Sequence, residues 1–289
     1  MRLAVIGANG QMGTDIAAAG RHAGLDVLEL GHAHCDVTDR ASVDAALASF
    51  ASGDVVVNTA AYHRLEECEK RPDLAFAVNA LGAHHVAAAA RERDAVVVFL
   101  SSDYVFDGAK RSAYVESDVP APINAYGVSK LAGEMLVRHS NVRHYVVRIS
   151  GVFGVAGSSG KGGNFVETML AKARRNEPIE VVDDIVMAPT SAADAAQLIV
   201  GLAVKRAPFG VYHAANAGSC SWHEFANAIF ELAHLAARAV PVHSASLAQP
   251  VRRPAYSVLA SERLGAAGLH ARPWRDGLAD YLRVKHDIL

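Results

Sequence analysis

Cysteine is scarce: Cys35, Cys68 and Cys220 are the only three in 289 residues. They stand far apart with no Cys-x-x-Cys pair, which argues against a disulfide framework and a thiolate metal site and leads us to expect a reducing, cytoplasmic setting. Charge of one sign is lacking as well. With 28 Lys and Arg against 30 Asp and Glu the formal charge is −2, so no basic excess points to nucleic acid. No apolar run approaches the roughly 20 residues that span a bilayer, and the first strand-like run begins too early to leave room for a secretory signal, so no membrane association is expected. Near His32-Ala33-His34 and His84-His85 no carboxylate or third ligand stands at metal-site spacing, so no metal is expected either.

What the chain does have is apolar bulk. Hydrophobic residues make up 51% of it, enough to bury a large core as one domain or two closely joined lobes. Strand-like runs recur at 26–30, 54–59, 95–101, 144–149 and 179–182, and helical patterns separate most of them. That alternation predicts an α/β fold: a doubly wound, Rossmann-like parallel sheet with ligand at the carboxyl ends of its strands and a smaller C-terminal substrate lobe. A dinucleotide-binding domain is expected over 1–151, with a return segment near 179–215 that rejoins the sheet around 179–182. The substrate-binding lobe then comprises 152–178 and 216–289. The Gly/Ser-rich stretch 154–163, where the chain leaves the sheet, reads either as a lid over substrate or as a plain surface loop.

At the amino end, Arg2-Leu3-Ala4-Val5-Ile6 leads into Gly7-Ala8-Asn9-Gly10-Gln11-Met12-Gly13 and then an alanine-rich helical stretch. Strand, glycine turn and helix come in the order a dinucleotide site requires. Gly7 permits the tight turn, Gly10 lets a pyrophosphate reach amides at the positive helix end, and Gly13 allows helix to pack on strand. Gln11 and Met12, which open the helix, are counted with these glycines as cofactor-binding.

Downstream of the hydroxyl-rich strand end Ser101-Ser102-Asp103 stand Tyr126 and Lys130, four residues apart. On a helix they share a face, so a cation can be held beside a phenol whose ordinary pKa of about 10 makes it a poor proton source. The pair reads as acid/base equipment. In the carboxyl-terminal part, Arg252-Arg253-Pro254 reads either as a phosphate clamp or as a solvated basic surface.

Taken together, the chain resembles an extended short-chain dehydrogenase/reductase, and within that group dTDP-4-dehydrorhamnose reductase and its relatives. The resemblance is carried by residues 7–13, Asn58-Thr59-Ala60-Ala61-Tyr62, Val78-Asn79, residues 101–108, residues 126–130, Gly163-Asn164-Phe165, Ala188-Pro189-Thr190 and Arg252-Arg253-Pro254. It implies NADP- or NAD-dependent reduction of a keto group on a nucleotide-linked deoxysugar, as in dTDP-rhamnose biosynthesis. Tyr126 would protonate the carbonyl oxygen, Ser102 would orient it, and Lys130 would bind the nicotinamide ribose and keep the phenol acidic. It further implies that Asp36, Val37, Ala60, Ala61, Tyr62 and Asn79 line the dinucleotide, although Asp36 can equally cap the turn that follows. Gly31 stands where an acidic residue would grip the adenosine ribose. NADP is thereby permitted and slightly preferred, and with no arginine beside it NAD stays open.

For substrate, the resemblance points to Tyr104, Val152, Phe153, Asn164, Phe165 and Arg253, each of which reads equally as packing or surface. Rhamnose-forming relatives usually place a tryptophan on the sugar where this chain has Gly151. Two other readings stay open: an NADP-binding regulatory subunit resembling the methionine adenosyltransferase beta subunit, and a redox-neutral sugar-nucleotide epimerase or dehydratase. A dehydratase would need extra carboxylates near the tyrosine, for which Asp103 and Glu116 are the candidates. Homodimer formation through the helix around 83–90 or the one holding Tyr126 is also open.

Overall fold

The computed structural model describes residues 1–157, 163–247 and 250–287. The N-terminal half alternates strand and helix: β1 (Arg2–Ile6), α1 (Gln11–His22), β2 (Asp26–Leu30), α2 (Arg40–Ala46), β3 (Val55–Asn58), α3 (Leu65–Lys70), α4 (Pro72–Phe76), α5 (Ala83–Glu92), β4 (Val96–Ser102), α6 (Ala125–Ser140) and β5 (His144–Ile149). Then follow β6 (Val152–Phe153), α7 (Phe165–Arg174), β7 (Glu180–Val182), β8 (Val186–Met187), β9 (Thr190–Ser191), α8 (Ala192–Val204), β10 (Gly210–His213), β11 (Cys220–Ser221), α9 (Trp222–Leu232), β12 (Val240–Val242) and α10 (Trp274–His286).

Six parallel strands form the main sheet in the order β10-β5-β4-β3-β1-β2. The chain runs outward from β1 to β2 and then crosses to β3 on the other side, so a crevice opens beyond the carboxyl ends of β1 and β3. Helices cover both faces, which is why the inner strands are apolar throughout rather than alternating. Leu3, Val5, Val57, Val98 and Val147 pack against α1 and α8 on one face. Ala4, Ile6, Val56, Val97 and Val146 point the other way, toward Val43 of α2 and the alanines of α5. The apolar face at 83–90 is thus buried within the chain.

The strand that rejoins the sheet differs from the expected one. It is β10, paired with β5, whereas 179–182 forms β7 and pairs only with β12 in a separate ribbon. The reason is visible in the burial: β7 is three residues long with Glu180 exposed, an edge pattern, while Tyr212 and His213 of β10 are fully buried. A separate apolar cluster of Phe153, Val166, Leu170, Phe225, Ile229 and Leu278 forms around α7, α9 and α10. Of the stretch 154–163, read as lid or loop, residues 158–162 lie outside the described residues, and that reading with them. Among the described residues no helix is long and apolar enough to cross a membrane, and no group of His, Cys, Asp and Glu is arranged to hold a metal ion.

Candidate active site

The turn after β1 is built by close approach. A Cβ at Gly13 would lie 2.2 Å from the Gly7 carbonyl oxygen, and one at Gly7 would lie 2.5 Å from the Thr59 hydroxyl, so only glycines let α1 sit this tightly on the turn. Gly10, the N-cap of α1, offers no side-chain cap, which leaves the first amides of the helix for a ligand. Gln11 donates through Nε2 to the Val152 carbonyl at 3.1 Å, while its buried Oε1 has no partner. In the loop between β2 and α2, Asp36 accepts the amide and hydroxyl of Thr38 at 2.9 and 2.7 Å, bonds that hold its carboxyl below the usual range. A Cβ at Gly31 would meet the Asn9 side-chain nitrogen Nδ2 at 2.8 Å, so any side chain there would have to displace Asn9.

Beyond β3, the segment holding Ala60, Ala61 and Tyr62 is fixed from behind by Asn79. Its Oδ1 accepts the Tyr62 amide at 2.8 Å, and its Nδ2 donates to the Tyr62 carbonyl and the Ser129 hydroxyl, each at 2.9 Å. Asn79 sits in a π-helical turn at Ala77–Gly82, a local widening of the helix of the kind that recurs at functional sites.

Helix α6 starts at Asn124, whose Oδ1 accepts the Gly127 amide at 2.8 Å while its Nδ2 donates to the Arg252 carbonyl at 3.0 Å. One cap thereby ties the helix bearing Tyr126 and Lys130 to the Arg252-Arg253-Pro254 loop. Gly127 allows the approach, since a Cβ there would lie 2.1 Å from the Tyr104 carbonyl oxygen. Tyr126 meets the Tyr104 ring edge-on, 5.9 Å between centroids. Lys130 is 2% exposed, with its Nζ 4.2 Å above the Phe99 ring. Ser102 donates to Asp103 Oδ1 at 2.9 Å, and the hydroxyls of Ser150 and Ser257 donate to Oδ2 at 2.8 and 2.6 Å. Burial raises the Asp103 carboxyl nevertheless.

In the protein alone, burial governs both groups. Burial pushes the Tyr126 phenol above its ordinary value, with the Ser102 side chain pulling it back, and burial brings Lys130 down to about 7 against the pull of Glu134. Desolvation opposes each charge more strongly than either group supports the other. Tyr104 is likewise pushed up to about 12, first by burial and then by Asp103.

These pieces surround one cavity of about 1200 Å³. Gly7, Gly10, Gln11, Met12, Asp36, Val37, Ala60, Ala61, Tyr62, Ser102, Tyr104, Tyr126, Lys130, Val152, Asn164, Phe165 and Arg253 all line it. Three expected residues do not. Gly13 lies beneath the turn, Asn79 acts from behind, and Phe153 points into the C-terminal core against Phe225 and Tyr281, because alternation along β6 gives the cavity side to Val152. Asn164 caps α7 and donates to the Gly154 carbonyl at 3.0 Å.

Sequence reasoning missed the far wall, made by Ile185, Met187 and Trp222. Trp222 stands at the first position of α9 with its ring 4.7 Å from Phe165, and the Ser221-x-x-Glu224 capping box that contains it was the available signal for the helix start. Gly151 has φ +52°, and a Cβ there would meet the Met187 sulfur at 2.8 Å. No bulky residue is accommodated at that position.

A family model described as the RmlD substrate binding domain matches residues 1–286. The chain is 36% identical over 284 residues to the spore coat polysaccharide biosynthesis protein SpsK of Bacillus subtilis, with 98% of each covered. It is 38% identical over 282 residues to the dTDP-4-dehydrorhamnose reductase of Mycolicibacterium smegmatis, covering 96% of this chain and 84% of that one. Among solved structures, the dTDP-4-dehydrorhamnose reductase of Bacillus anthracis in complex with NADP superposes with a TM-score of 0.91 at 34% identity, over 97% of this chain and 98% of that one.

Proposed function

The chain belongs to the RmlD substrate-binding domain family, an extended short-chain dehydrogenase/reductase lineage, and from that premise we propose that it reduces the keto group of a dTDP-linked deoxysugar with NADPH or NADH. The observation that carries the reading is that Tyr126, Lys130 and Ser102 line the same cavity as the glycine turn. The turn fits a dinucleotide: uncapped amides at the start of α1, a backbone cradle that a Cβ would fill, and the unpartnered Gln11 Oε1. Reduced nicotinamide, when bound, supplies the hydride.

Tyr126 gives its phenolic proton to the oxygen of the reduced carbonyl. A phenol raised by burial is protonated throughout the neutral range, and because an alkoxide is a far stronger base than a phenolate, transfer of its proton to the reduced oxygen is downhill. Ser102 orients the carbonyl oxygen, and Lys130 holds the cofactor ribose. Asp36, Val37, Ala60, Ala61 and Tyr62 hold the remainder of the dinucleotide, with Asn79 bracing them. Tyr104, Val152, Asn164, Phe165, Trp222 and Arg253 take the sugar nucleotide, Arg253 as its phosphate partner. The absence of an acid beside Asn9 and Gly31 favours NADP. In domain terms, 1–151 with α8 and β10 as the return segment binds the dinucleotide, and 152–178 with 216–289 forms the substrate lobe, which β7 joins through its pairing with β12.

A redox-neutral dehydratase is the weaker reading. Asp103 is engaged by three serine hydroxyls, and Glu116 lies outside the cavity, bound to Ser261 and to the amides of His213 and Glu262. A cytoplasmic setting and a homodimer belong to the same proposal. Supporting them are the three buried free cysteines and the exposed Val128 and Met135 on α6; sedimentation tests the dimer.

The decisive experiment offers the purified protein a dTDP-4-keto-6-deoxysugar and follows loss of NADPH absorbance alongside formation of the 4-hydroxy sugar. Tyr126→Phe should bind NADPH as the parent does and turn over slower by ~10³-fold or more. Parent-like turnover in that variant, or no net oxidation of NADPH by the parent, ends the assignment.

A further inference from the structure

We propose that Glu134 is a positioning residue for Lys130: clamped by Arg148 and Ser101 one helical turn from the lysine, its carboxylate supplies the counter-charge that offsets burial and favours the ammonium form of Lys130. The proposal rests on the role assigned to Lys130 above. It begins from spacing, since positions four apart on α6 share a face and this face is turned inward, with Lys130 2% and Glu134 1% exposed.

A carboxylate that deep is costly unless paired. Here Arg148 grips it with both arms, Nε to Oε1 at 2.9 Å and Nη2 to Oε2 at 2.7 Å, and the Ser101 hydroxyl donates to Oε1 at 2.5 Å. Ser101 and Arg148 are register partners on β4 and β5, so the sheet itself aims both donors at one point. A buried ion pair by itself contributes little that an apolar pair would not. What sets this one apart is a further basic group, Lys130, one turn away on the same buried face of α6, its Nζ standing 4.2 Å over the Phe99 ring, a weak support for a cation.

The charged and titratable groups around α6 narrow the choice. Tyr126 and Glu134 come from the helix itself, Asp103 from the end of β4, Arg148 from β5, Cys68 and Glu69 from α3, and His84 and His85 from α5. Asp103 is turned to its three serines, Glu69 accepts the Ala125 amide, His84 bonds Ser140 at the far end of the helix, and His85 bonds the Val37 carbonyl. Glu134 is the group that strengthens the lysine's hold on its proton, against burial that brings it to about 7.

The test titrates Lys130 by NMR of 13Cε-labelled lysines in substrate-free protein, the signal identified by Lys130→Arg. In Glu134→Gln the midpoint should fall by about one pH unit, a roughly tenfold loss of ammonium relative to amine near neutrality, and the alkaline limb of kcat/KM should move down with it. Glu134→Asp should keep the parent midpoint. Arg148→Met, which frees the carboxylate from its competing cation, should move the midpoint up. A merely structural clamp gives no such opposite-signed pair. Coincident midpoints in parent and Glu134→Gln overturn the proposal; should that variant not fold, an unchanged or lowered midpoint in Arg148→Met does the same. Because the titration needs no substrate, it stands apart from the reductase reading, which turnover tests.

Discussion

Tyr126 and Lys130 are both driven by burial toward their uncharged forms, and that shared direction has a consequence for stability. Lys130 is held at about 7 in the folded chain against its ordinary 10.5. Between those two values the unfolded chain binds a proton that the folded chain does not, so stability rises with pH across that window. Below it the full penalty of the buried ammonium is present. Lys130→Met should therefore stabilise the ligand-free protein by something on the order of 5 kcal/mol at pH 6, with the gain shrinking to nothing as pH rises past 10. Urea midpoints at several pH values read this directly. A gain that does not change with pH would mean that methionine acts by packing alone, and that the ammonium is not desolvated as the geometry indicates.

Single helix caps do double duty around this cavity. Asn124 starts α6 and also holds the Arg252 carbonyl, Asn164 starts α7 and also holds the Gly154 carbonyl, and Ser221 starts α9 immediately before Trp222. In the last case the Ser221 hydroxyl accepts the Glu224 amide at 3.0 Å while the Glu224 carboxylate accepts the Ser221 amide at 2.7 Å. Ser221→Ala should cost about 1 kcal/mol, near 2 °C in Tm for a chain of this length. Because Trp222 is the next residue, the same substitution should raise KM for the sugar nucleotide more than it lowers kcat. An unchanged KM would place Trp222 outside substrate contact. Much of the main sheet was legible beforehand: the run at 144–149 coincides with β5, because a strand buried on both faces needs nearly unbroken apolar residues, and the run at 26–30 coincides with β2, although that edge strand leaves Asp26, Leu28 and Glu29 exposed. The strand pairing within the small lobe, and the strand that rejoins the main sheet, were not. The lobe's strands are two or three residues long, and β10 carries only Gly-Val-Tyr-His, so neither leaves a periodic signal, and the contact between Phe165 and Trp222 joins residues far apart in the chain.

At the scale of the molecule, cofactor and substrate walls come from different packing units. The residues assigned to the dinucleotide stand on the main sheet, whereas Phe165 and Trp222 stand on the cluster around α7 and α9. Catalysis of the proposed kind needs these units held in one register, and a buried polar joint does so. Asn216, 2% exposed, accepts the Ser191 amide at 2.8 Å and donates to Asp194 Oδ2 at 2.7 Å and to the Arg272 carbonyl at 3.0 Å, while Arg272 Nη1 reaches Asp194 Oδ1 at 3.0 Å. Ser191 and Asp194 belong to the start of α8, which packs on the sheet; Arg272 leads into α10, whose Leu278 packs in the lobe. With the joint intact, the parent should melt in one transition, and NADPH at a hundredfold excess over its Kd should raise that whole transition by about 2.7 kcal/mol. Asn216→Ala removes three buried hydrogen bonds at a cost of about 1–3 kcal/mol for the groups left unpaired. Its melt should split, with NADPH protecting only the sheet-based transition and the lobe unfolding at a temperature indifferent to cofactor. A single transition in Asn216→Ala that NADPH still shifts as a whole would show that apolar contact between the units, rather than this joint, carries the coupling.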